Sequence, residues 1–518
     1  MTSIATTDVS ASTSIDPTTP DTAGAGAGAP NGPIASPIPD VMSNAFPADA
    51  VSGILARQRM RESAARTYAR TLPIVPVRAY GSTIVGADGR RYLDCLAGAG
   101  TLALGHNHPV AVEAMNALLR SGAPLHTLDI ATPEKDAFTE ELLSCLPPGL
   151  ASGCRLLFCG PSGADAVEAA VKLAQTVTGR QAVLAFTGAY HGMTAGALAL
   201  TGRVSDKNRL PAPYPVVRLP FPHPYRCPFG VPAGTPGPDG ATLSARYIRR
   251  LLDDPAGGIP TPAAMIVEPV QGEGGVVPAP DGWLRAMRQI TRERGIPLIL
   301  DEVQTGVGRT GAFWGADHSG VTPDIMVMSK AIGGGLPLAV VAYRADLDTW
   351  TPGSHAGTFR GNQLAMAAGR ATLAFVRSEG LADRAAVVGA RMLAGLRGIA
   401  RDLAREPGPA GCGGASVIGD VRGRGLMIGL EIVDPTAEPD VVGAHPADPE
   451  LARLIQAECL RRGMIVELGG RYQAVVRLLP PLVITDEEVD RALDILAESV
   501  RAASARRRAG ARAPEPTG

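Results

Sequence analysis

Short apolar runs punctuate the middle of the chain at residues 154–158, 182–186, 264–267, 297–300, 325–328 and 338–342. Several are apolar at successive rather than alternate positions, which predicts strands buried on both faces, as in a mainly parallel sheet. Helical stretches or long loops separate them, so the pattern predicts an α/β domain with helices on both sides of the sheet. Ligands on such sheets bind beyond the carboxyl ends of the strands. From about residue 366 the pattern predicts helices over 364–377 and 381–403 and strands over 425–432 and 463–468. A last helix is expected over 485–501, opened by the capping box Thr485-x-x-Glu488. These elements predict a second, smaller α/β domain, with surface loops at 405–415 and 434–449, which are rich in Gly, Pro and Ala.

The expected division is a large domain over 106–365 and a small domain assembled from 49–105 and 366–500. Residues 1–48 are Ser, Thr, Ala, Gly and Pro with almost no large apolar content, and are expected to form a disordered tail. Residues 501–518, with Arg506, Arg507, Arg508 and Arg512, are expected to form a basic disordered tail.

Composition narrows the class. The 518 residues are 45% hydrophobic and 19% charged with a formal net charge of −1, which does not favour nucleic acid or an anionic membrane as partner. The seven cysteines are scattered without a Cys-x-x-Cys pair, so reduced thiols and no metal site are expected. No apolar run approaches the roughly 18 residues of a spanning helix. No basic residue precedes Arg57, unlike a secretory or mitochondrial leader, so a cytoplasmic protein is expected.

Only four of the 49 basic residues are lysines, and three of them, Lys135, Lys172 and Lys207, stand where arginine would serve as well. Lys330 follows the apolar run 325–328 and precedes Ala331, Ile332 and the glycines 333–335. A charge there must be paired or used, and a primary amine can shed its proton and form a Schiff base with an aldehyde. Asp301 ends the apolar run before it, where an ionised carboxylate implies a fixed cationic partner. A protonated pyridine nitrogen fits that need. Pyridoxal phosphate requires such a lysine, such a carboxylate and an anion cradle. The cradle would be Ser162-Gly163-Ala164, small residues that open a helix whose N-terminus favours an anion. Ser162 also reads as a plain N-cap. Tyr190, in Tyr190-His191-Gly192, offers an aromatic face for a cofactor ring or simply packs.

Four motifs in order carry a resemblance: Ser162-Gly163-Ala164, the segment Glu268-Pro269-Val270-Gln271-Gly272-Glu273-Gly274-Gly275, the string Leu300-Asp301-Glu302-Val303-Gln304-Thr305-Gly306, and Ser329-Lys330-Ala331-Ile332 with its glycines. From about residue 75 to 498 the chain resembles the class III, or ω-amino-acid, aminotransferases of fold type I. That resemblance implies a large domain with a mainly parallel, seven-stranded sheet, a smaller α/β domain and pyridoxal 5′-phosphate as cofactor. It implies that Lys330 binds the cofactor's aldehyde and shuttles the proton, and that Asp301 pairs with the ring nitrogen. Gln304 would bind the ring hydroxyl, Ser162, Gly163 and Ala164 the phosphate, and Tyr190 the ring face. Thr358, in Gly357-Thr358-Phe359-Arg360-Gly361-Asn362, would reach the phosphate of a neighbouring subunit. The implied minimal unit is therefore a homodimer with shared sites, and two such dimers would make a tetramer.

Arg477 interrupts the apolar string 475–479, where burial demands a partner. It reads either as a structural ion pair or, by the resemblance, as the group that grips the α-carboxylate of glutamate or 2-oxoglutarate, with Glu273 covering it in the other half-reaction. Residues 95–102 and 105–109, with 357–363, are most similar to the members acting on diaminobutyrate and 2-oxoglutarate. The aromatic residue usual in the ornithine type is absent near Ala99. The implied reaction is reversible transfer of the terminal amino group between L-2,4-diaminobutyrate and 2-oxoglutarate, giving L-aspartate 4-semialdehyde and L-glutamate and, in reverse, supplying diaminobutyrate. The alternative is another class III aminotransferase acting on 4-aminobutyrate, ornithine, acetylornithine or a β-amino acid. A mutase or racemase would have no use for the Glu273 and Arg477 pair, and a non-catalytic module no use for Lys330, Asp301 and Gln304.

Overall fold

The structure, a computed structural model, describes residues 47–202, 211–405 and 416–510. The expected tail over 1–48 thus lies almost wholly outside the described residues, as do Lys207, residues 406–415 of the expected loop and the end of the basic tail.

Seven strands form the central sheet: β1 (Cys154–Phe158), β2 (Val183–Phe186), β3 (Val216–Leu219), β4 (Ala264–Val267), β5 (Leu298–Asp301), β6 (Ile325–Met328) and β7 (Val340–Arg344). Their order is β1-β7-β6-β5-β4-β2-β3. All pairings are parallel except those of β7, which runs antiparallel to both β6 and β1. The continuous apolar runs behave as expected, since every residue of β2, β4, β5 and β6 is buried. The pattern did not reveal β3, whose sequence carries Arg218 and stands between Pro215 and Pro220. Proline is tolerated there because β3 is an edge strand.

Helices cover both faces. On one, Ala166, Val167, Ala170 and Leu173 of helix Gly163–Thr178 pack with Ile266, Ile299 and Val327. On the other, Trp283, Leu284, Met287 and Ile290 of helix Asp281–Glu293 pack with Met265, Leu298 and Leu300. Each large apolar side chain buried in this way contributes about 1.5–3 kcal/mol. The sheet is thereby a rigid platform for whatever its carboxyl ends carry.

Two four-stranded sheets accompany this unit. Pro76–Tyr80, Thr83–Gly86 and Arg91–Asp94 form one with Met464–Ile465, which pairs parallel to Arg91–Asp94 and so joins early and late segments of the chain. Ile418–Arg424, Met427–Ile432, Val475–Leu478 and Glu467–Gly469 form the other, antiparallel throughout. The capping box at Thr485 and Glu488 is present.

The last helix departs from expectation. It runs from Asp486 to Arg508, so residues 501–508 are helical rather than a loose tail. Ala503 is buried, Arg506 Nη1 donates to Glu458 Oε1 at 2.8 Å, and Arg507 Nη1 lies 2.9 Å from Glu450 Oε2. Arginines in a last turn also suit the negative end of the helix dipole. Among the described residues no helix is long and apolar enough to cross a membrane.

Candidate active site

A cavity of about 310 Å³ opens beyond the carboxyl ends of β5 and β6. Gly163, Ala164, Tyr190, Glu273, Asp301, Gln304 and Lys330 all line it, although they come from five separate stretches of sequence. Three residues singled out with them do not. Ser162 sits one step behind as N-cap, its Oγ accepting from Asp165 N at 3.3 Å. Thr358 is exposed, and Arg477 is fully buried behind Glu273.

Lys330 begins a short 3-10 turn directly after β6, with φ +52°, in the left-handed region that side chains avoid. That strain costs on the order of 1 kcal/mol and is typical of functional positions. The backbone before it is fixed, because Ser329 Oγ donates to the Leu338 carbonyl at 2.8 Å. Burial lowers the affinity of the Lys330 amine for its proton. Glu273, Asp301 and Glu467 oppose the shift and Arg477 reinforces it. The residue is half-buried and lines the cavity.

Asp301, the last residue of β5, is 5% exposed. Its Oδ1 accepts from Val303 N at 3.1 Å and its Oδ2 lies 2.7 Å from His191 Nδ1. The cationic or polar partner that its burial demanded is therefore, within the protein, His191. The sequence had singled out His191 only as a neighbour of Tyr190. The Nε2 of His191 is buried without a partner. Gln304 is tied at one end, Nε2 donating to the Ala99 carbonyl at 3.0 Å, while its Oε1 is buried and unpartnered. Ala99 can turn that carbonyl inward because the loop around it is left-handed, with φ +57° at Ala99 and +60° and +90° at the adjoining glycines 98 and 100.

Glu268 lines the same cavity and holds two of its walls, Oε1 accepting from Tyr190 N at 2.9 Å and Oε2 from Gly272 N at 3.0 Å. Burial pushes its carboxyl above the usual range, helped by the charge of Asp301 and opposed by His191. Gly163 must be small, since a Cβ there would meet Val303 Cγ1 at 3.0 Å. Gly163 and Ala164 thus present the open start of a helix to the cavity.

Arg477 lies in the strand Val475–Leu478, fully buried, with its Nη2 2.6 Å from Glu273 Oε1 and 2.6 Å from Glu467 Oε2. Its Nε and Nη1 have no partner. Glu467, on the neighbouring strand, also accepts a bond from the Tyr68 hydroxyl. The sequence reading had no role for Glu467 or Tyr68. The signal for Glu467 was available, since it interrupts the apolar stretch 464–468 as Arg477 interrupts 475–479. In chemical terms the site offers an amine able to act as nucleophile or base, a buried carboxylate and an anion-binding helix start. Beside these lies an arginine held under two carboxylates.

Comparison with known proteins bears on what this arrangement is. The chain is 54% identical over 444 residues to the diaminobutyrate–2-oxoglutarate aminotransferase of Rhizobium meliloti (strain 1021), covering 86% of this chain and 91% of that protein. It is 47% identical over 447 residues to the Haemophilus influenzae protein of the same name, covering 86% and 94%. Among solved structures, an amine transaminase from an uncultivated Pseudomonas species, determined with pyridoxal phosphate bound, matches at TM-score 0.72 and 30% identity, covering 86% of this chain and 98% of that one. An (S)-enantioselective ω-transaminase from Thermomicrobium roseum matches at TM-score 0.74 and 29% identity, covering 88% and 98%. The family model of class III aminotransferases spans residues 64–500, from ahead of the first sheet into the last helix and across every motif lining the cavity. A match of that extent, with relatives that are about half identical over nearly their full length, makes the chain a member of the class III aminotransferases.

Proposed function

We propose that the protein binds pyridoxal 5′-phosphate in this cavity and transfers the terminal amino group between L-2,4-diaminobutyrate and 2-oxoglutarate, giving L-aspartate 4-semialdehyde and L-glutamate. The residues present fit the cofactor. Gln304 Oε1 is an orphaned buried acceptor available to the ring hydroxyl, and Asp301, steadied by His191, is a buried carboxylate available to the ring nitrogen. The helix start at Ser162, Gly163 and Ala164 suits the phosphate, and Tyr190 the ring face. When bound, the cofactor supplies an electron sink for the carbon that loses its proton.

The protein's part is positioning, proton transfer and selection between two substrates. Lys330 would hold the cofactor through its amine until the donor's own amine displaces it; the freed Nζ, whose proton affinity burial lowers, would then take the proton from the amine-bearing carbon of the donor. The observation that carries the reading is the buried Arg477 masked by Glu273 at the wall of the Lys330 cavity. A donor that presents its terminal amine has no carboxylate beside the reacting carbon, whereas glutamate does. Arg477 must therefore be covered in one half-reaction and open in the other, and a glutamate that can withdraw answers both. Thr358 and Phe359 are exposed on the single chain, with Phe359 68% exposed, as befits a loop that reaches into a second subunit's site in a homodimer.

The test is a half-reaction screen of the holoenzyme with diaminobutyrate, ornithine, 4-aminobutyrate and lysine, following the cofactor's visible absorbance. Diaminobutyrate should convert it fastest. A much faster reaction with ornithine or 4-aminobutyrate would overturn the substrate assignment.

A further inference from the structure

Arg477 carries more negative charge than its masking requires. Glu273 alone would neutralise it, yet Glu467 approaches the same Nη2 at the same 2.6 Å. Two carboxylates crowded on one nitrogen repel each other, and burying the surplus charge is costly unless a further cation completes the group. The charged groups facing one another are Arg477, Glu273, Glu467 and Lys330, with the Tyr68 hydroxyl bonded to Glu467. These balance two against two only while the Lys330 amine is charged; once that amine is committed to the chemistry one carboxylate is left over, and the cation that completes the group comes from outside the protein. Glu467 Oε2 has no hydrogen bond, its contact with Arg477 being an ion pair without bonding alignment. It is an acceptor short of a donor, set one residue back from the cavity on the same Arg477 nitrogen as Glu273, which lines it.

We propose that Glu467 is the residue that selects a diamine donor, its carboxylate taking the ammonium that does not react. The inference rests on the diaminobutyrate reading above. L-2,4-Diaminobutyrate reacts at its terminal amine and keeps a second ammonium at its α-carbon. 4-Aminobutyrate is the same molecule without that ammonium. A site with an uncompensated carboxylate attracts the first and gains nothing from the second. Burial holds Glu467 above the usual carboxylate range, so an arriving ammonium restores the charged form that burial disfavours. In the acceptor half the same carboxylate is a competitor, since it occupies the arginine that 2-oxoglutarate needs.

The experiment compares wild-type holoenzyme with Glu467→Gln, measuring half-reaction kcat/KM for diaminobutyrate and for 4-aminobutyrate, and the calorimetric affinity for glutarate, an unreactive dicarboxylate. The preference for diaminobutyrate over 4-aminobutyrate should fall about 10- to 100-fold, the worth of one charge-assisted hydrogen bond. Glutarate should bind as tightly or more tightly. An unchanged preference, or weaker glutarate binding, would mean that Glu467 only holds Arg477 in place, and would overturn the proposal. Tyr68→Phe, which frees Glu467 of its hydroxyl partner without removing the carboxylate, must retain the preference; its loss there also overturns the assignment. A wild type that does not react with diaminobutyrate at all would instead defeat the substrate reading itself, a result distinct from both.

Discussion

Replacing Arg477 by lysine separates the charge of this residue from its shape. The guanidinium has one nitrogen, Nη2, committed to Glu273 and Glu467, and two, Nη1 and Nε, buried with no partner. A Cβ on Gly469 would lie 2.6 Å from Nε, so the backbone of Gly469 closes that side. The fork left for a substrate carboxylate is therefore Nη1 together with Nη2 once Glu273 has withdrawn. Lysine retains the positive charge that Glu467 needs but offers a single centre in place of that fork. Losing one of two charge-assisted bonds costs about 1.5–3 kcal/mol, or roughly 10- to 150-fold. The loss should fall on kcat/KM for 2-oxoglutarate with the aminated enzyme, measured by single-turnover stopped flow. The diaminobutyrate half-reaction should change by no more than about threefold, because no carboxylate adjoins its reacting carbon. Alanine is the poorer variant, since it leaves Glu467 buried without its cation, at about 3–5 kcal/mol of stability. Equal losses in both half-reactions of the lysine variant would refute the assignment and make Arg477 a structural ion pair.

Lys330→Ala should lower turnover by at least about 10²–10⁴-fold and abolish the visible band of the holoenzyme; a wild type that stays colourless after addition of cofactor would contradict the role of this lysine. At Gly272 a Cβ would overlap Gln304 Oε1, and turning that amide aside strains the 3.0 Å bond that Gln304 Nε2 donates to the Ala99 carbonyl. Gly272→Ala should therefore weaken cofactor retention on dialysis, Gln304→Ala should restore part of it, and wild-type retention in Gly272→Ala would disprove the contact. Among the described residues no ion pair neutralises the buried Glu302, and burial pushes its carboxyl up to about 7. The folded chain thus keeps a proton that the unfolded chain releases near the usual 4.5, and stability should fall as pH rises across that window, by on the order of 3 kcal/mol. Glu302→Gln should flatten that part of the thermal-denaturation profile between pH 5 and 8, and an unaltered slope would refute the cause.

Strands buried on both faces were legible because continuous apolar runs have few other uses, and β4 and β6 fall on the very residues expected. The edge strand β3 was not, because its half-buried positions, Arg218 and flanking prolines remove both the apolar run and the alternation. The helix over 501–508 was missed for a tertiary reason: its arginines read as a solvated tail until Glu458 and Glu450 are placed opposite them. In the site, Lys330 and Asp301 stood out because a lone charge at the end of an apolar run needs a partner. His191 did not, since its partner lies 110 residues away and nothing local marks it. Glu467 carried the same signal as Arg477, but pairing the two requires the antiparallel register that sets Glu467 opposite Arg477, which no local pattern supplies.

The same register decides which carboxylate can move. Glu467 stands on a strand, its side chain 11% exposed, opposite an arginine that is fully enclosed. Glu273 is 23% exposed and sits between two glycines, at the cavity wall. Its backbone is nevertheless fixed: its carbonyl accepts from Gly470 N at 2.8 Å, Gly272 N is bound to Glu268, and the Gly275 carbonyl accepts from Arg422 Nε at 2.9 Å. Uncovering Arg477 therefore requires only side-chain rotation at Glu273, with no loop opening. The cost of unmasking is then the 2.6 Å pair with the fully buried Arg477, which an incoming substrate carboxylate offsets by taking the same nitrogen. On the proposed reading, a fixed arginine, a fixed glutamate and one rotating glutamate would let a single cavity accept a diamine in one half-cycle and a dicarboxylate in the next.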